Sequence, residues 1–141
     1  MLLNGKPITI YSVDFDGTLI IGNHWPELDG EVNRALIEYL RTERSRGNKI
    51  ILNTNRTGGC LEDAIGLCNA YKLYFDAVNE NLPEVIEAYG GSDSRKISAD
   101  YYIDDKAINP NLFNWEYMNR LGLKIGYKQH EEVRKYAEED D

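Results

Sequence analysis

The stretch Ile8-Thr9-Ile10-Tyr11-Ser12-Val13-Asp14-Phe15-Asp16-Gly17-Thr18-Leu19 decides how the chain is read. A run rich in β-branched residues forms a strand over Ile8–Asp14, ends in two carboxylates and turns sharply at Gly17. Side chains two apart on a strand point to the same side. Extended geometry carried to the strand's end therefore sets Asp14 and Asp16 together where the chain leaves the sheet. Two like charges so close repel, and one stays protonated unless a cation is near. Asp-x-Asp-Gly-Thr in that place is expected to hold a divalent metal, to do acid/base chemistry, or both.

Length and composition narrow the field. At 141 residues the chain is most simply one domain over 1–141, long enough to bury about two thirds of its unfolded surface. Apolar residues are 42% and charged residues 28% of the chain, ordinary globular usage. The net charge of −8 argues against broad binding of nucleic acid or anionic membrane, since no basic surface is available to neutralise phosphates. A local cluster can still bind one phosphate. Cys60 and Cys68 fall eight apart on an expected helix, about 12 Å along its axis, too far for a disulfide. Two reduced thiols, no basic-then-apolar leader and no run of about 18 apolar residues together lead us to expect a soluble cytoplasmic protein.

Outward from the first strand, the remaining elements alternate. The segment 17–30 suits a flap or hairpin beside the Asp pair; within it His24 reads as an exposed loop histidine, and Trp25 as packing or a wall of the pocket. Glu31–Arg46 reads as a helix, with Val32, Ala35, Leu36, Tyr39 and Leu40 on one face, Asp29 as N-cap and Gly47 as stop. Lys49–Thr54 is a buried strand ending in a hydroxyl, in which Asn53 is an unexplained polar residue. Asn55–Gly59 leads into a helix over Cys60–Tyr71 with Leu61, Ala64, Ile65 and Cys68 on its apolar face. Tyr74–Val78 is a weaker strand, and Pro83 opens a helix that carries Val85, Ile86 and Tyr89 and stops at Gly90-Gly91. Tyr101-Tyr102-Ile103 is a strand running into Asp104-Asp105. Asn109–Arg120 reads as loop and helix, Lys124–Tyr127 as an edge strand, and 131–141 as a charged tail.

Strands alternating with helices predict an α/β fold with a mainly parallel sheet, whose ligands lie beyond the C-terminal ends of its strands. Three of the expected strands end in polar residues: Asp14 with Asp16, Thr54, and Asp104 with Asp105. One parallel sheet brings all five to one rim. Four carboxylates there call for a hard cation with oxygen ligands, and Mg²⁺ suits a few carboxylates plus water and a substrate phosphate. A carboxylate can attack phosphorus to form an aspartyl-phosphate, and a second can protonate the leaving group and then activate water. Thr54 and the N–H groups after it, with Asn55 and Arg56, are candidates to hold phosphoryl oxygens, helped by the helix N-terminus that follows. Lys96 would neutralise charge on the nucleophile and the transferring group, with Arg95 its neighbouring alternative.

In this order the residues resemble the haloacid dehalogenase-like hydrolase superfamily. Its first motif is Asp14-Phe15-Asp16-Gly17-Thr18; its second, a strand ending in Thr54; its third, Lys96; its fourth, Asp104-Asp105. The resemblance runs from about residue 8 to residue 108. It implies a Rossmann-like three-layer α/β/α sandwich and Mg²⁺-dependent hydrolysis of phosphate monoesters. Asp14 would be the nucleophile and Asp16 the general acid/base. The metal would be held by the Asp14 carboxylate, the Asp16 backbone carbonyl, Asp104 and Asp105, the last directly or through water. Family members often carry a cap domain between motifs. Here 40 positions separate Asp14 from Thr54 and 42 separate Thr54 from Lys96, and core elements use up both intervals. That implies a capless member with an open site, suited to a bulky phosphorylated substrate or to a cap lent by another subunit of a homo-oligomer. Two other classes share some of these residues: a silent binding module on the same fold, and a receiver-type phospho-acceptor domain. In the latter the acidic pair comes at the first strand, the reverse of the order here.

Overall fold

The computed structural model describes residues 1–107 together with 109, 110, 116 and 120. The chain divides into two compact units, Met1–Ala107 and Ile108–Asp141. Every residue singled out above for chemistry lies in the first. The expected helix within Asn109–Arg120 falls largely outside the described residues, and the strand at Lys124–Tyr127 and the tail from Glu131 do so entirely.

The first unit opens with a two-stranded hairpin, β1 (Leu2–Leu3) and β2 (Lys6–Pro7), where the sequence reading has only a lead-in. The signal was Asn4-Gly5. Both residues take positive φ, 53° and 77°, the twist that a tight hairpin turn demands and that this pair adopts at little cost. The core is a four-stranded sheet in the order β7-β6-β3-β8, every pairing parallel. Its strands are β3 (Ile10–Val13), β6 (Lys49–Leu52), β7 (Ala77–Val78) and β8 (Tyr101–Ile103). The expected mainly parallel α/β architecture is present, and helices flank the sheet in a manner compatible with a Rossmann-like fold. β3 is buried at all four positions because it lies between two strands and under both faces.

Alternation along the strands fills two cores. Tyr11, Val13, Ile50 and Leu52 point to one face, where α1 (Arg34–Ser45) contributes Ile37 and Leu40, and α2 (Gly58–Ala70) contributes Ala64 and Cys68. Ile10 and Ile51 point to the other, against Leu3, Leu82, Ile97 and Val85 of α3 (Pro83–Ala88). Burial pushes the Cys68 thiol up to about 12, so it stays a neutral packing group. Cys60 and Cys68 are both free thiols. No helix among the described residues is long and apolar enough to cross a membrane.

Several boundaries move, each for a local reason. The helix expected from Glu31 begins at Arg34, because Glu31-Val32 form β5 and pair antiparallel with β4 (Ile20–Ile21). Its N-cap is Asn33, not Asp29: the Asn33 Oδ1 accepts from the Leu36 N–H, and its Nδ2 donates to the Thr18 carbonyl. Asp29 instead accepts from the backbone N–H of His24 and meets the His24 ring. Gly47, at φ 92°, lies just past the end of α1 as expected. The strand at Tyr74–Val78 shrinks to two residues, since the Asp76 carboxylate accepts the Ile50 N–H in place of a strand carbonyl. Tyr89 is exposed rather than on α3's packing face, because that helix stops one residue before it.

Asn33→Ala is expected to cost about 1 kcal/mol as a lost cap, with a further loss at the Thr18 carbonyl, read as a lower denaturant midpoint. Asp29→Ala should leave the same midpoint nearly unchanged, as an exposed change away from the helix.

Candidate active site

The sheet ladder continues one step past β3. The Asp14 N–H donates to the Ile103 carbonyl at 2.9 Å, and the Asn53 N–H to the Val13 carbonyl at 2.9 Å. Those two bonds fix Asp14 between the ends of β8 and β6, level with Asp104 and one residue short of Thr54. Carboxylate oxygens of Asp14, Asp104 and Asp105 lie within 4.8 Å of one another. The strand β6 ends at Leu52, so Asn53 is an exposed rim residue, which accounts for a polar side chain there.

Burial and crowding both act on Asp14. Its pKa is pushed up to about 6, first by burial and then by the negative charges of Asp104, Asp105 and Asp16. Such a donor set, oxygen-only and lacking a cation of its own, fits a hard divalent ion.

Gly17 and Thr18 bring the acidic pair against Asp14, and the sequence reading does not single them out individually. Gly17 sits at φ 79°, and a Cβ there would lie 2.3 Å from Asp105 Oδ2. The missing side chain is therefore what lets the Asp105 carboxylate approach. The buried Thr18 hydroxyl accepts from the Asp105 N–H at 3.1 Å and faces Asp14 Oδ2 at 3.5 Å, so one side chain links both acidic motifs. The Asp-Gly-Thr run itself was the available signal.

Asp16 does not join the acidic cluster through its carboxylate. Arg56 Nε donates to Asp16 Oδ2 at 2.9 Å and Nη2 to Oδ1 at 2.8 Å, a two-pronged fork. Asn23 Nδ2 adds a third bond to Oδ1 at 2.9 Å. Arg56 is 0% exposed; its Nη1 donates to the Cys60 carbonyl, and its guanidinium lies 4.9 Å from the Phe15 ring centroid. Sequence reasoning makes Arg56 a candidate to hold phosphoryl oxygens. It is instead a buried counter-charge that holds the Asp16 carboxyl below its usual range, chiefly by the hydrogen bonds of that fork.

The remaining expected residues sit as follows. Thr54 is half-buried; its hydroxyl accepts from the Arg56 N–H and its own N–H is taken by the Asn79 side chain at 2.7 Å. Asn55 is exposed on the same loop. α2 starts at Gly58, beside that loop as expected. Lys96 is not brought to Asp14: its ammonium lies 5.5 Å from the Tyr102 ring centroid, and no hydrogen bond or ion pair joins it to a carboxylate among the described residues. The backbone around it is pinned by Asn81, which is buried and bonded to Asp93, Ser94, Lys96 and Ser98. His24 is exposed and paired with Asp29, in keeping with a loop histidine. Trp25 is 63% exposed, so it packs against no core. The flap hairpin does reach the site, through Asn23. A groove of about 580 Å³ between the end of α1 and Lys72–Tyr74 lies at the opposite rim and belongs to none of this.

One solved structure, that of the conserved protein coded by a locus from Bacteroides thetaiotaomicron, is 32% identical to this chain. The match covers 84% of this chain and 94% of that one, with a TM-score of 0.61. The chain belongs to that protein's family. No protein-family model matches the chain, and no curated protein does. The relationship holds over nearly all of the other chain, so the two share a fold.

Arg56→Met, which removes the buried fork and keeps much of the volume, should cost about 3 kcal/mol at neutral pH. The fork holds the Asp16 carboxyl below its ordinary range in the fold, so the stability from the pair is present above that ordinary range and fades as pH falls through the lower folded value. The gap between wild type and variant should therefore narrow in acid-titrated denaturant melts. A divalent ion at this rim would compete with the proton on Asp14, so Mg²⁺ titrated by calorimetry should bind more tightly through a midpoint near pH 6, losing roughly tenfold per unit below it. Gly17→Ala, which drives a Cβ into Asp105, should weaken that binding tenfold or more. Without metal the sign on stability reverses. The raised Asp14 pKa contributes stability that is present at low pH and lost as pH climbs through about 6.

Proposed function

We propose that the protein is a Mg²⁺-dependent phosphatase of the haloacid dehalogenase-like type, without a cap domain, working through an aspartyl-phosphate. The observation that carries this reading is the convergence of Asp14, Asp104 and Asp105 within 4.8 Å at the C-terminal rim of a parallel sheet. Asp14, Asp104 and Asp105 would hold the ion, and when bound it supplies positive charge that offsets the carboxylates and the phosphoryl oxygens.

The chain's own residues would then divide the chemistry. The Asp14 carboxylate attacks phosphorus, forming an acyl phosphate as the bond to the leaving oxygen breaks. Asp16 gives that oxygen a proton, then takes one from the water that hydrolyses the acyl phosphate. Its pairing with Arg56 keeps it ionised, the form required for the second half. The first half requires a proton on Asp16, which a monoanionic phosphate monoester would bring as it enters. The half-buried Thr54 hydroxyl, which accepts from the Arg56 N–H and can still donate, is the group available to the phosphoryl oxygens. Lys96 would have to swing from Tyr102 to neutralise them.

Asp16 held ionised by Arg56 and Lys96 turned to Tyr102 favour a second reading, a metal-binding module that does not turn over. Hydrolysis of an aryl phosphate separates the two. A phosphatase should show turnover with Mg²⁺, none with EDTA, and a loss of at least a thousandfold for Asp14→Asn. Asp16→Asn should lower kcat by a hundredfold or more while Mg²⁺ binding persists. Metal binding without turnover on any phosphate would favour the module, and absence of both would overturn the reading.

A further inference from the structure

Resting on the phosphatase reading, we infer that the site takes a nucleoside monophosphate, its base stacked on Trp25 and its polar edge or sugar met by the amides of Asn53 and Asn55. Three observations converge on this. The first is the flap. Trp25 is 63% exposed, yet the loop that presents it is tightly organised. Asn23 Nδ2 donates to the Glu27 carbonyl at 2.9 Å, and the Glu27 N–H to the His24 carbonyl at 2.7 Å. Asp29 takes both the backbone N–H and the ring nitrogen of His24 at 2.8 Å. At the base, a Cβ on Gly30 would lie 2.5 Å from the Ile21 carbonyl, so the two arms of the hairpin close tightly. An indole held out by a braced loop has little ordering left to lose when a flat ring lies against it.

The second observation is position. Asn23, two residues before Trp25, donates to Asp16, so Trp25 begins within about 7 Å of a residue that touches the site. Arg56 joins the loop after β6 to the same Asp16. Both loops are thereby gathered on one carboxylate, the flap through Asn23 and the loop that carries Asn53, Thr54 and Asn55 through Arg56. The third is unspent hydrogen bonding. Asn53 and Asn55 are exposed, and among the described residues their side-chain amides bond to nothing. The side chains of Asn4 and Asn69 are likewise exposed and unbonded, but only Asn53 and Asn55 flank Thr54 at the rim. A carboxamide offers a donor and an acceptor side by side, the pattern that pairs with the edge of a nucleobase. An aromatic face with free amides nearby suits a base better than a bare sugar phosphate, which has no π-face to stack.

The test compares a purine nucleoside 5′-monophosphate with ribose 5-phosphate, Mg²⁺ present, on the whole protein. Wild type should prefer the nucleotide by tenfold or more in kcat/KM. Trp25→Ala should bring that ratio to near one, chiefly through about a tenfold rise in KM for the nucleotide, the size expected for one lost stacking contact. Trp25→Phe should keep most of the preference, and the pair Asn53→Ala and Asn55→Ala should each raise KM for the nucleotide. A wild type that hydrolyses both substrates equally well, or a preference untouched in Trp25→Ala, would overturn the inference and leave the phosphatase reading intact. Absence of turnover on every phosphate would instead sink the reading on which it rests.

Discussion

A fully buried arginine closing its fork on one aspartate is the interaction on which the candidate site depends. Arg56 lies in the loop after β6 and Asp16 in the loop after β3, so their pairing fastens together two connections that the sheet alone only brings near. A guanidinium taken wholly out of water is costly unless its donors are used, and here Nε, Nη1 and Nη2 all have acceptors while Phe15 covers its face. The same fork satisfies one carboxylate of the rim and leaves the other three to each other.

That division of charge gives the rim its character. Asp14, Asp104 and Asp105 face one another without a basic partner among the described residues, and Asp14 answers by binding a proton more tightly. The fold works to keep them close: Gly17 leaves room for Asp105, and Thr18 bonds across from one motif to the other. An arrangement that uses glycine, a buried hydroxyl and two strand ends to hold like charges together stores electrostatic energy, and a divalent ion would release it.

Much of this was legible in the chain. Hydrophobic runs with 2-residue and 3.6-residue periods follow from backbone geometry, so Tyr101–Ile103, the helix at Pro83 and the apolar face of α2 could be read with little error. The side-by-side strand ends followed from the α/β alternation, because crossover connections force parallel strands whose C-terminal ends share one rim. Where reading failed, a local hydrogen bond outcompeted a propensity: Asn33 took the cap that Asp29 was expected to supply, and Asp76 replaced a strand.

The sequence by itself therefore determined the α/β class, the parallel rim and the meeting of Asp14 with Asp104 and Asp105 there, since these depend on period, order and strand polarity along the chain. It also placed the Asp16 carboxylate in that cluster, from which Arg56 withdraws it. Only the tertiary structure decided how each side chain is spent. The pairing of Asp16 with Arg56 spans 40 residues, and the Lys96 ammonium sits over Tyr102 rather than at Asp14. Trp25 stands in solvent on a braced flap while Asn53 and Asn55 stay unpartnered. Charge pairing and exposure arise from which surfaces meet in three dimensions, and no one-dimensional period carries that information.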